Sequence, residues 1–321
     1  MKVPVLIIAF NRPEHVKKVL TAVAAYAPDQ LYVFQDGARA GNTLDIELCA
    51  QVNAIFEQSL PWECTLKTNF QTLNLGCGRG PSTAISWFFE HVEEGIILED
   101  DCIPHKDFFS YCELMLEKYR ANPKISFIGG SSFQPQDVHY PASYYFSSGS
   151  LGTWGWATWK RSWLLFDYHI STIDDARFKS IMKTYFKDFR QKLYWWYIYT
   201  RVKKDRMNES CWDYQFYFSC WNKGMIAIIP YKNMISNIGY DELATHTFES
   251  NHPAANKTTT SIFPIIEPLT IGLQVDKDFY VHQHYTCDYD YHNITIGRWV
   301  YFVNRWVKMK TGKRGGWFIN R

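Results

Sequence analysis

Three patterns in the 321-residue chain indicate an α/β fold with a mostly parallel sheet and helices on both of its faces. Continuous apolar runs rich in β-branched residues alternate with amphipathic stretches through the first 130 residues, as in successive βαβ units. The runs are apolar at every position, which suits strands buried on both faces. Several of them stop abruptly at polar residues, which suits strands that end at a crevice.

Residues 3–10 form the first such run, and Asn11-Arg12-Pro13 ends it. Pro13 opens a helical pattern to Tyr26, with Val16, Val19, Leu20 and Val23 on one face. Residues 31–34 are a second strand ending at Gln35-Asp36-Gly37, and residues 44–60 a helix. A third strand is expected at 64–67, then a loop at 69–80 with three glycines, then a helix from Pro81 and Ser82 to His91. Residues 95–98 are a fourth strand that runs into Glu99-Asp100-Asp101; 108–119 is a helix and 125–128 a fifth strand. The second half is less regular. Residues 147–163 are dense in Gly and Trp, 174–204 is helical, 212–221 a short helix, 225–229 a strand and 237–296 mostly loop. This divides the chain into an α/β half (1–135), a less regular half (136–297) and a C-terminal helical tail (298–321).

Charge sharpens the division. Net charge is +2, which argues against a globally basic nucleic-acid binder. Residues 298–321 hold seven Arg or Lys and no carboxylate, and the rest of the chain has 27 basic against 32 acidic residues. Basic residues beside Trp299, Trp306 and Trp317 have the composition of an interfacial membrane anchor; a C-terminal helix docked on the body is the alternative. None of the eight cysteines forms a CxxC pair. With no signal-peptide pattern and no uninterrupted apolar stretch of 18 residues, a reduced cytoplasmic setting is expected, with peripheral contact at the inner face of the membrane through the tail.

Polar groups at three strand ends should converge: Asn11-Arg12, Asp36 and Glu99-Asp100-Asp101. Three consecutive carboxylates repel one another unless a cation or hydrogen bonds compensate them, and a hard divalent ion favours one or two carboxylates plus diphosphate oxygens. Asp101 as a helix cap is the plainer reading. Asp36 also reads as a turn residue before Gly37, and Asp213 as a helix cap. Gly76, Gly78 and Gly80 do not match a dinucleotide fingerprint, which belongs just after the first strand.

The ordered set FNRP, FQDG, ILEDD and KDFF resembles the GT-A-type nucleotide-sugar glycosyltransferases, with a Rossmann-like sheet. The likeness is to the N-acetylglucosaminyltransferase I group and to bacterial enzymes of lipopolysaccharide and capsule assembly. Residues 152–163 resemble that family's acceptor-side Gly-Trp segment, and Cys211-Trp212-Asp213-Tyr214 its catalytic segment. The resemblance implies a metal-dependent inverting transferase. It would move a sugar, with N-acetylglucosamine as the candidate, from a UDP-sugar to a glycan or lipid-linked saccharide. It assigns Asn11, Arg12, Asp36, Arg79, Glu99 and Asp100 to the nucleotide-sugar and Asp101 to Mn2+ or Mg2+. Asp213 would be the general base. Trp154 and Trp156 are candidate sugar platforms, with packing under a loop as the alternative. His246 is a candidate acceptor residue; a lone histidine is more often structural. His282 and His284 lack a third metal ligand. Two other readings stand beside this one. A sugar nucleotidyltransferase would use a related sheet, although FNRP is a poor version of its Gly-rich, basic loop. A carbohydrate-binding protein would rest on the aromatic second half.

Overall fold

The computed structural model describes residues 1–204, 211–240 and 254–281. Its first half runs β1 (Val5–Ala9), α1 (Pro13–Tyr26), β2 (Gln30–Gln35), α2 (Thr43–Glu57), β3 (Thr65–Phe70), α3 (Gly76–His91) and β4 (Glu94–Glu99). Next come β5 (Cys102–Pro104), α4 (Phe108–Tyr119), β6 (Ile125–Gly129), β7 (Tyr144–Ser147), β8 (Trp156–Trp159) and the single turn α5 (Lys160–Trp163). α6 (Asp175–Tyr185), α7 (Phe189–Lys204), α8 (Asp213–Asn222), β9 (Ile226–Pro230), β10 (Ile235–Asn237) and α9 (Val275–Val281) follow.

Eight strands form one sheet in the order β3-β2-β1-β4-β8-β6-β9-β7. β3, β2, β1 and β4 are mutually parallel, and only β8 and β7 run against the rest. The order 3-2-1-4 is that of a Rossmann-like sheet. Its connections reverse direction between β1 and β4, and a crevice opens there beyond the strand ends. Strands from both sides of residue 135 share this sheet.

The core forms a layer on each face. Along β1, Val5, Ile7 and Ala9 face the layer that holds Val16, Val19 and Val23 of α1; Leu6 and Ile8 face Ala84, Ile85 and Phe88 of α3. That two-sided burial is why β1 and β2 carry no polar alternation, unlike the more exposed β3. α1 has Pro13 in its first turn and ends where Ala27, at φ 51°, donates its N–H to the Val23 carbonyl. Asn42 caps α2 by accepting from the Asp45 N–H.

Two expectations are corrected, at 69–80 and at 174–204, and two stretches gain detail. The loop expected at 69–80 is shorter, because α3 starts at Gly76 and takes in all three glycines, with Pro81 inside the helix. The helix expected over 174–204 is two, α6 and α7, broken where Phe186 turns extended. Residues 147–163 contain β8 as well as the turn α5. The run 237–296 contains α9. The tail 298–321, His246, His282 and His284 lie outside the described residues. Among the described residues, no helix is long and apolar enough to cross a membrane.

Candidate active site

β1 ends at Ala9, and the next three residues turn the chain into α1. Arg12 sits just before the helix, its carbonyl accepting the N–H groups of His15 and Val16. Its guanidinium swings to the end of β4. Nη1 donates to Asp101 Oδ2 at 3.1 Å and lies 3.5 Å from Asp100 Oδ1. These side chains are only 10–17% exposed, so the ion pair is largely shielded from water. Asp100 also ties the two strand ends together directly, its Oδ2 accepting the Phe10 N–H at 3.1 Å.

Glu99 is the last residue of β4, in register with Ile8. Burial pushes its carboxyl up to about 8; the charges of Asp101, Asp100 and Asp213 push the same way and Arg12 opposes them. Glu99 therefore carries its proton at neutral pH and can donate a hydrogen bond. Asp213 comes from the first turn of α8. Burial raises it to about 6, against the pull of its own N–H and that of Tyr214. Carboxylates from the turn after β4 and from α8 thus all act on Glu99, opposed by one guanidinium.

A small antiparallel ribbon of β5 and β10 closes the rim. The Ile238 N–H donates to the Asp101 carbonyl at 2.9 Å. A Cβ at Gly239 would overlap the Asp101 carboxylate, so only glycine lets the ribbon lie this close.

Asp36 lies past the end of β2. One oxygen accepts the N–H groups of Gly37 and Leu75; the other accepts the Gly76 N–H and Asn74 Nδ2, all at 2.7–3.1 Å. It holds the start of α3, which explains why that helix begins before Pro81. Even so, burial raises its carboxyl above the ordinary value, the backbone donors opposing that rise. Arg39 makes a forked pair with Asp45, Nε to Oδ2 at 2.5 Å and Nη2 to Oδ1 at 2.8 Å.

These groups line a cleft of about 500 Å³, walled on its far side by Thr153, Trp154, Asn237 and Tyr240. Of the residues singled out in the sequence, Arg12, Asp36, Glu99, Asp100, Asp101, Trp154 and Asp213 line it. Three do not. Asn11 is buried with its amide on Asp45 at 2.9 Å. Arg79 stacks on Tyr168, 4.9 Å from the ring centre. Trp156 is 1% exposed on β8 and packs against Trp212 and Phe216, so it is core and offers no ring to a sugar. Arg39, Asn74, Gly239 and Tyr240 line the cleft but were missed; the Asn237-Ile238-Gly239-Tyr240 run was the one local signal, and only for the last two. Among the described residues, no group of three or more His, Cys, Asp or Glu side chains is arranged to hold a metal ion by itself.

No family model and no curated protein matches the chain. Solved structures do. An apo UDP-glucose pyrophosphorylase is 8% identical, with 74% of this chain and 93% of that one aligned at a TM-score of 0.37. An inositol-1-phosphate CTP transferase from T. maritima is 9% identical over 71% of this chain and 85% of that one, TM-score 0.38. HddC from Yersinia pseudotuberculosis, complexed with GMP-PN, is 10% identical over 50% of this chain and 78% of that one, TM-score 0.32. Two of these are a pyrophosphorylase and a CTP transferase; none is described as a glycosyltransferase. On that finding the inverting glycosyltransferase activity implied by the sequence motifs is withdrawn, and with it the glycosyltransferase enzyme class. The burial of Trp156 and the outward course of Arg79 are two places where the carried-over site departs from the structure.

Proposed function

We propose that the chain is a sugar nucleotidyltransferase, which joins the nucleotidyl group of a nucleoside triphosphate to a sugar phosphate. One observation carries the reading: Arg12 and a cluster of carboxylates meet at the switch point between β1 and β4, in a cleft of about 500 Å³. A nucleotide needs the strand-end crevice and its cation; phosphoryl chemistry needs acidic groups that accept a divalent ion along with the phosphates. No nucleophilic side chain is required.

In this scheme an oxygen of the sugar phosphate attacks the α-phosphorus. A new P–O bond forms, the bond to the β-phosphate oxygen breaks, and pyrophosphate leaves with its electron pair. Arg12 positions the phosphates, and protonated Glu99 donates a hydrogen bond within the cleft. Asp213 accepts from sugar hydroxyls. Asp36 keeps the Asn74–Gly76 turn in place at the nucleotide end. The oxygens of Asp100 and Asp101 fit a hard ion that retains substrate oxygens and water in its shell, because Mg2+ takes only one or two carboxylates in such sites. Mg2+ or Mn2+ bound there would neutralise charge on the phosphates.

The test incubates the protein with Mg2+, each common nucleoside triphosphate and a panel of sugar 1-phosphates. Pyrophosphate release and the nucleotide sugar are followed by chromatography. Turnover with one pair, cut by about a hundredfold or more in Asp101→Asn, is expected. Absence of pyrophosphate with every pair, or full activity in that variant, would refute the assignment.

A further inference from the structure

Residues 254–260 run beside β10, whose Asn237 lines the cleft. Ala255 bridges Asn237 in parallel, and the Asn256 N–H donates to the Asn237 carbonyl at 2.8 Å. Asn233 fixes the far side, accepting the Thr260 N–H and donating Nδ2 to the Thr258 carbonyl. Asn256 sits at φ 51°, a left-handed turn that asparagine tolerates. Lys257 is thereby held on a braced segment. Its Nζ lies 4.6 Å from the centre of the Phe133 ring.

Phe133 meets Trp154 edge to face at 5.7 Å, and Trp154 meets Tyr240 in the same way at 6.3 Å. Trp154 and Tyr240 wall the cleft. The row therefore leads from the cleft, over aromatic rings, to a half-buried cation. Among the described residues Lys257 has no carboxylate partner, and burial alone pulls its ammonium down to about 8. An ammonium placed in a low-dielectric setting without a counter-ion is costly. The ring faces would receive the C–H face of a sugar, and the cation an anion at its far end.

We infer that the acceptor end of the cleft takes a sugar phosphate bearing a second anionic group, with Lys257 as the counter-ion to that group and Trp154 beneath the ring. This rests on the nucleotidyl-transfer reading and names its acceptor class. The second group is a ring carboxylate or a second phosphate, which share the chemistry Lys257 would recognise.

Direct calorimetric binding of glucose 1-phosphate, glucuronic acid 1-phosphate and glucose 1,6-bisphosphate to the full chain separates the cases. The wild type should bind at least one of the two ligands with a second anionic group about tenfold or more tightly than glucose 1-phosphate. Which one it prefers identifies the group. Lys257→Met keeps the apolar stem on Phe133 and should abolish the preference; Lys257→Gln should do the same and serves where the first variant folds poorly. Equal binding of the three ligands by the wild type, binding of none, or a preference that survives both variants would overturn the inference. Nucleoside triphosphate binding, measured in parallel, should be unchanged in the variants. Loss of triphosphate binding in the wild type would instead refute the nucleotidyltransferase reading, while the acceptor preference is still read out.

Discussion

Replacing Arg12 with methionine removes the guanidinium while keeping most of the volume of its stem. The structure sets the size of the effect. Nη1 stands 3.1 Å from Asp101 and 3.5 Å from Asp100. At an effective dielectric of about 20, each contact is worth roughly 5 kcal/mol before desolvation is charged against it. Desolvation cancels much of that, so the intact cluster is not a large net source of stability. Deleting one partner is different, because it leaves buried carboxylates without compensation and costs about 3–5 kcal/mol. Arg12 is also the group that holds the Glu99 carboxyl down. The folded wild type already keeps that proton up to about pH 8, and in R12M it is kept to higher pH still. Below about pH 8 both folded proteins carry this proton and the contribution is the same, so the deficit against wild type should grow only as pH rises through that value, from about pH 7 to about pH 9. Urea unfolding of both proteins at the two values measures this directly. A deficit below about 1 kcal/mol, or one equal at both pH values, would show that Arg12 is not the compensating charge.

Glu99→Gln tests the same cluster from the other side. The native carboxyl titrates near 8 against an ordinary 4.5, so the folded wild type binds the extra proton between those values and its stability falls as pH rises through them. E99Q should be more stable than wild type at pH 8 by roughly 1–3 kcal/mol and nearly equal to it at pH 4; a variant less stable at pH 8 contradicts the assignment. Chelation is the remaining check: nucleoside triphosphate affinity, followed by fluorescence titration, should fall by about tenfold or more in EDTA, and an affinity indifferent to the chelator would remove the divalent ion from the scheme.

Much of the fold was legible because it depends on local pattern. The apolar runs at β1, β2 and β4 could only be strands buried on two faces, and their polar stops marked the crevice. What could not be read depends on contacts between distant residues. α3 begins at Gly76 because Asp36, forty positions earlier, satisfies its first N–H groups; no feature near Pro81 announces that. β5 and β10 are three residues each, too short for a period, and form only because they pair with one another. Trp154 and Trp156 look alike in sequence, but Trp156 lies within β8 and packs against Trp212 and Phe216, whereas Trp154 precedes the strand and lines the cleft. Arg39 was missed for a related reason: its bond to Asp45 depends on how the β2–α2 turn folds back.

The arrangement of charge also says in what form a nucleotide would enter. Asp100, Asp101 and Asp213 contribute negative charge to the cleft, whereas Glu99 is largely protonated at neutral pH. Two arginines line the same space, but Arg39 is already engaged by Asp45, which lies outside the lining. Arg12 is therefore shared between two carboxylates before any substrate arrives. A bare triphosphate would bring three or four further negative charges into a partly dry, already acidic pocket, which costs more as the dielectric falls. The triphosphate as its divalent complex reverses that balance. In the proposed reaction Asp100 and Asp101 would hold that ion, which would supply a second cation beside them and leave Arg12 to pair with phosphate oxygens. The acidic triplet and Arg12 would then form one exchangeable set, in which the arginine that pairs with Asp100 and Asp101 gives way to the cation the substrate brings.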